Sequence, residues 1–199
     1  MSKSKISTNT MTVVAMLSAI AFILQFFEFG VPFMPSFIKL DLSDLPALIG
    51  AFAVGPIGGV LIALIKNVFH LALTSSAGVG ELSNFILNAI FVLPAGIIYQ
   101  KKKTKQNALL GSILGAVLMA ALSVVTNYFV VYPVYYNFMP KEAILAAYQL
   151  IFPGVHNILE CLIVFNLPFT FMKAMISVII TFLIYKHISP ILKKIGTRQ

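Results

Sequence analysis

Few side chains in this sequence can do chemistry, and most of them interrupt apolar runs. Lys66 and Asn67 break one run, Asn84 and Asn88 a second, Asn127 stands near the end of a third, and Thr170 and Lys173 lie just inside a fourth. A polar or charged group within an apolar span is costly enough that binding, or a named polar partner, is its default explanation. Thr170 and Lys173 are three residues apart on one helix face, so both aim at a single neighbour or ligand. Two plainer roles compete with binding: a lysine near a helix end snorkels to the interface, and a buried asparagine cross-links helices. For Lys66 the expectation is structural, with Glu81 or another acid of the outer side as its partner.

Other kinds of chemistry lack their residues. His70, His156 and His187 are scattered, with no H-x-x-x-H spacing, so no metal site is expected. Cys161 is the single cysteine, which excludes an intrachain disulfide and leaves packing as its role. No nucleophile–base pair or paired carboxylates stand out, so the chain is not expected to be an enzyme. A phosphate-binding G-x-x-x-x-G-K-[ST] loop is absent, so the chain is no P-loop ATPase. Tyr128, Phe129, Tyr132, Tyr135, Tyr136 and Phe138 crowd one region. These rings suit an interfacial belt or the stacking of a planar ligand, and the sequence leaves both uses open.

The elements that must position these residues are membrane helices. Of 199 residues, 59% are hydrophobic and 10% charged, far from the roughly 45–50% apolar and about 25% charged of soluble domains. The formal charge of +8 sits in clusters beside apolar runs and forms no stripe for nucleic acid. Met11 to Phe29 reads as a first membrane helix, since it lacks the cleavage pattern of a signal peptide. Further spans are Glu81 to Gln100, Ala108 to Pro133 and Pro168 to His187.

The run Pro46 to Leu73 is decided by charge. Basic clusters at Lys3 and Lys5, at Lys101 to Lys105, and at Lys186, Lys193, Lys194 and Arg198 belong on the cytoplasmic side, so an even number of spans separates each pair. The run therefore contributes two helices, with Gly55-Pro56 as the turn. The expectation is an all-α membrane protein of six transmembrane helices, with both termini cytoplasmic and long outer loops. It forms a single domain over residues 1–199, with helices near 11–29, 46–54, 56–73, 81–100, 108–133 and 168–187. The outer loops are Gly30 to Leu45, Thr74 to Gly80 and Val134 to Leu167. All six acids, Glu28, Asp41, Asp44, Glu81, Glu142 and Glu160, then fall on or beside the outer side, where a binding site is expected. The second helix is too short to span unaided and needs shielding by its neighbours, which makes Gly30 to Leu45 a candidate lid or cavity wall.

Several segments in order resemble a known family. They are Leu40-Asp41-Leu42-Ser43-Asp44-Leu45-Pro46-Ala47-Leu48-Ile49, Gly55-Pro56-x-Gly58-Gly59-Val60, Lys66-Asn67, Gly78-Val79-Gly80-Glu81-Leu82-Ser83-Asn84-Phe85, Asn127-Tyr128-Phe129 and Pro168-Phe169-x-x-x-Lys173. The set resembles the substrate-binding S components of energy-coupling factor (ECF) vitamin transporters, in particular the riboflavin-binding kind. That resemblance implies a multi-pass plasma-membrane protein that takes riboflavin from outside as transported ligand, with no cofactor. It implies partnership with a transmembrane coupling protein and two ATP-binding-cassette ATPase subunits. It further implies substrate contacts at Lys39, Leu40, Asp41, Asn84, Asn127, Thr170 and Lys173, and docking of the coupling protein at Ala15 and Ala19, a small-xxx-small pair widened by Ser18. Thr170 departs from the pattern, since members can carry Asn three residues before the lysine. The alternatives are an S component for another vitamin and a self-sufficient secondary carrier using Lys66 as its ion-coupling group.

Overall fold

The computed structural model describes residues 8–74 and 77–196, with side chains as far as residue 184. Lys3, Lys5 and Arg198 and the side chains of Lys186, His187, Lys193 and Lys194 lie outside that description. The chain runs from α1 (Thr8–Phe26) through two short strands, β1 (Phe29–Gly30) and β2 (Lys39–Leu40), to α2 (Asp44–Ala53). Next come α3 (Pro56–His70), which ends in a 3₁₀ turn at Leu71–Leu73, and α4 (Val79–Lys101). A long rod follows: α5 (Lys105–Thr126), a π turn at Asn127–Val131, and α6 (Tyr132–Tyr135). After α7 (Lys141–Gln149), a last rod joins α8 (Ile158–Cys161), a π turn at Leu162–Asn166, and α9 (Leu167–Gly196).

Among the described residues, five helical stretches are long and apolar enough to cross a bilayer: Thr8–Phe26, Pro56–Leu73, Val79–Lys101, Lys105–Tyr135 and Ile158–Ile184. A shorter apolar helix, α2, has only 10 residues. It survives by burial, packing against α1, α3, α4 and α9, so that its backbone meets protein on every side. Gly55 breaks the chain between α2 and α3 with φ +98°, and Pro56 opens α3, where a missing N–H costs nothing. The long helices turn their apolar residues outward as well as inward. Met16, Ile20 and Ile23 on α1, and Leu110, Leu114 and Val117 on α5, are exposed, a surface suited to a lipid solvent.

The last span starts earlier than its hydropathy indicates. The expected boundary at Pro168 and the expected loop Val134 to Leu167 are corrected: the helical rod begins at Ile158, and α7 lies within that loop. Asn157 caps the rod by accepting from Glu160 N at 2.9 Å, and Glu160 Oε2 accepts from His156 N at 2.7 Å. This reciprocal cap begins a helix with polar residues that an apolar window rejects. Both π turns end two residues before a proline, Pro133 or Pro168. A proline ring in mid-helix collides with the carbonyl four residues back, and widening the preceding turn relieves the collision.

Helix approach depends on small residues. A Cβ on Gly115 of α5 would stand 2.1 Å from the Phe91 carbonyl oxygen of α4, so these backbones touch with no room between them. Gly115→Ala is expected to lower stability by about 1–3 kcal/mol, the usual cost of overpacking. A fall in the thermal unfolding midpoint in detergent checks this, and an unchanged midpoint contradicts it.

Candidate functional site

The site grows from three helix faces. On α3, Lys66, Asn67 and His70 line up toward α4, while Glu81, Asn84 and Asn88 repeat along the facing stripe of α4 at three- and four-residue steps. The loop before α2 folds between them. Fully buried Lys66 Nζ donates to Ser43 Oγ and, at 2.9 Å, to Asp44 Oδ1. Asn88 Nδ2 donates to the same oxygen at 2.6 Å. On α9, Lys173 Nζ lies 2.9 Å from Asp41 Oδ2 and 3.5 Å from Asp44 Oδ2. Ser43 N closes the turn by donating to Asp41 Oδ1 at 2.8 Å. Two ammonium groups thus face two carboxylates, and the cluster is neutral overall. Burial works against ionisation of Asp41, but the charges of Lys173 and Lys66 and the hydrogen bonds it accepts outweigh that, holding its carboxyl below the ordinary range.

Above this cluster lies a cavity of about 450 Å³, bordered by Gln25, Phe37, Lys39, Asp41, Asn84, Lys173 and others. That volume is within the range of small-molecule sites. One wall is a second polar group: Glu81 Oε1 lies 2.9 Å from His70 Nδ1, and Glu81 Oε2 accepts from Thr74 Oγ1 at 2.8 Å. Phe26, Phe37, Leu73 and Tyr135 supply the apolar and aromatic part. One side is bounded by the β1–β2 ladder, in which Phe29 pairs with Leu40 and Gly30 with Lys39, reinforced by an ion pair from Lys39 to Glu28. No group of three or more His, Cys, Asp or Glu side chains able to hold a metal occurs among the described residues.

A family model described as "ECF transporter, substrate-specific component" matches residues 9–185. The chain belongs to this family. A riboflavin transporter RibU of Staphylococcus aureus (strain TCH60) is 33% identical over 185 residues, covering 92% of this chain and 91% of the relative. A riboflavin transporter FmnP of Bacillus subtilis (strain 168) is 31% identical over 185 residues, covering 90% and 92%. A solved structure described as "Structure and mechanism of the S component of a bacterial ECF transporter" superposes with a TM-score of 0.73 at 30% identity, covering 92% of this chain and 97% of that one. This S component is accordingly a multi-pass membrane protein and a transporter subunit, not an enzyme.

Of the residues expected at the S component's site, the cavity gathers Lys39, Asp41, Asn84 and Lys173. Leu40 is buried beside them in β2, and Thr170 is buried one turn before Lys173. Asn127 opens the first π turn, half-buried and outside the lining of this cavity. Ala15 and Ala19 border a separate apolar groove between α1 and α3, with Ser18, Phe22, Val68 and Phe69. Lys66 finds Asp44, not Glu81, which pairs with His70 instead. Sequence reasoning passed over Gln25 and His70 as lining residues. Gln25 did carry a signal, since it is a polar residue in an apolar run and shares a helix stripe with Ser18 and Ala21.

Removing one partner of a fully buried pair leaves the other charge stranded. Asp44→Ala is expected to destabilise by about 3–5 kcal/mol. Loss of folded monomer on size exclusion, or a large fall in thermal midpoint, checks this; wild-type stability would show that Lys66 finds another counter-charge.

Proposed function

We propose that this S component captures riboflavin from the outer side of the plasma membrane and delivers it through an ECF coupling module. The observation that carries this reading is the polar and aromatic cavity lined by the Asp41–Lys173 pair, in a chain about a third identical, nearly end to end, to proteins named riboflavin transporters. An isoalloxazine ring has an apolar dimethylbenzene end and a polar dione end, and its ribityl chain carries hydroxyls. Aromatic walls with a few fixed polar groups suit such a molecule.

In this reading residues 1–199 form one membrane domain of six helices, with α2 as the short one, both termini cytoplasmic, and the cavity facing out. The disposition of lysine clusters supports that orientation. Lys39, Leu40, Asp41, Asn84, Asn127, Thr170 and Lys173 contact the flavin. Asn127 both donates and accepts at a π turn, a feature frequent at functional sites. Thr170 offers a hydroxyl one turn from Lys173. Ala15 and Ala19, in the apolar groove of α1, receive the transmembrane coupling protein. Two ATP-binding-cassette ATPase subunits supply the drive that this chain cannot.

Riboflavin titrated onto purified protein is expected to lose its fluorescence on binding, and a protein that leaves the fluorescence unchanged overturns the reading. Asn127→Ala is expected to weaken binding by about 1–3 kcal/mol, the cost of an unpaired buried polar group. The same titration measures it, with wild-type affinity removing Asn127 from the site. Lys173→Ala is expected to weaken binding by at least as much, because it also releases Asp41.

A further inference from the structure

The buried stripe of α1 consists of Val14, Ser18, Ala21 and Gln25. Ser18 satisfies its hydroxyl within the helix, donating to Val14 O at 2.7 Å. Gln25 does not. It is 5% exposed, it borders the cavity, and its Oε1 is buried without a hydrogen-bond partner. A buried amide oxygen left unpaired is costly and uncommon in a native protein, so each case calls for a donor. The ammonium groups of the lining turn to carboxylates, Lys39 to Glu28 and Lys173 to Asp41, and neither donates to Gln25. Around Gln25 the cavity is rich in acceptors, with the carboxylates of Glu28, Asp41 and Glu81. Such a wall suits a ligand that brings hydrogen-bond donors, above all hydroxyl groups.

We propose that Gln25 is a ligand-binding residue whose Oε1 accepts a hydrogen bond from a hydroxyl of the bound solute. The assignment rests on the riboflavin reading, in which the donor is a hydroxyl of the ribityl chain. Gln25 then distinguishes flavins by their side chain and leaves the ring system to other residues.

Lumiflavin separates these contributions, because it keeps the isoalloxazine ring and replaces the ribityl chain by a methyl group. Gln25→Met preserves length and bulk while removing the acceptor. Fluorescence titration of purified Gln25→Met is expected to show riboflavin affinity reduced about tenfold or more, the scale of one lost hydrogen bond in a buried site, with lumiflavin affinity unchanged. Gln25→Glu retains a carbonyl-type acceptor and is expected to hold riboflavin more tightly than Gln25→Met does. Unchanged riboflavin affinity in Gln25→Met overturns the proposal, as does equal weakening toward both flavins, which marks a packing role. Should Gln25→Met fail to fold, Gln25→Leu, which also lacks the acceptor, decides by its own ratio of riboflavin to lumiflavin affinity: a ratio shifted toward lumiflavin supports the proposal, and a ratio equal to that of wild type overturns it. A wild-type protein that binds neither flavin overturns the riboflavin reading itself, an outcome distinct from wild-type binding with an indifferent Gln25.

Discussion

Two lysines inside a lipid-facing bundle must be neutralised, and the arrangement around the cavity follows from that need. Lys66 and Lys173 are buried on different helices, and an isolated ammonium there would cost several kcal/mol, a large share of a small protein's stability. Their counter-charges, Asp41 and Asp44, lie in the segment that enters α2. The segment is therefore drawn inward. Asp44 occupies the first turn of α2, where the positive end of the helix dipole also favours a carboxylate. An apolar replacement of the whole cluster could be as stable, since desolvation offsets much of the attraction. What the charges add is position: α3, α4 and α9 are each bonded to the same short stretch, Asp41 to Asp44.

The cavity inherits this fixed geometry. Asp41 belongs at once to the ion-pair cluster and to the lining, and Lys173 does likewise. A solute entering the cavity meets groups already oriented by partners behind them, which reduces the ordering cost of binding. The same pairing fixes one end of the loop that leads into α2. Residues 39–44 are tied down by Lys173 and Lys66, whereas residues 31–38 are held by turn hydrogen bonds such as Met34 N to Val31 O at 3.2 Å and Ile38 N to Pro35 O at 2.9 Å. Phe33, in that looser stretch, is 83% exposed.

What was legible in the sequence reflects what each signal measures. Hydropathy and charge parity found α1, the split between α2 and α3 at Gly55-Pro56, and α4, because long apolar runs and lysine clusters report directly on a lipid solvent. They missed α7, whose amphipathic Lys141–Gln149 resembles a polar loop in a wide window, and they began the last span ten residues late. Asn157, Glu160, Asn166 and Pro168 all depress hydropathy there, yet a reciprocal cap and a π turn absorb them. At the site, Asn84 and Lys173 could be singled out because polar groups within apolar runs need a reason, whereas Lys39 and Asp41 came only with the family resemblance of the first loop. The pairing of Lys66 with Asp44 could not be read, since choosing among acids requires the distance that only the packed loop supplies. Gln25 escaped because one neutral polar residue near a helix end has many ordinary explanations until its oxygen is seen buried and unpaired.

Helix α7 and the loop of residues 31–38 differ in how they are held. Tyr148 of α7 is fully buried, donates to Asn166 Oδ1 at 2.7 Å and shares a hydrogen bond with Tyr132. Asn166 ends one π turn and Tyr132 follows the other, so a single side chain bolts α7 to both proline-bearing rods. Burial pushes the Tyr148 hydroxyl well above its ordinary range, so it remains a neutral donor at physiological pH. Phe37 of the loop touches this anchor edge-on, with ring centroids 5.8 Å apart. Lifting α7 would strand buried hydroxyls and an amide, whereas lifting residues 31–38 chiefly separates apolar contacts. The stretch between β1 and β2 is thus held by weaker contacts than α7 or the Asp41–Asp44 segment on either side of it.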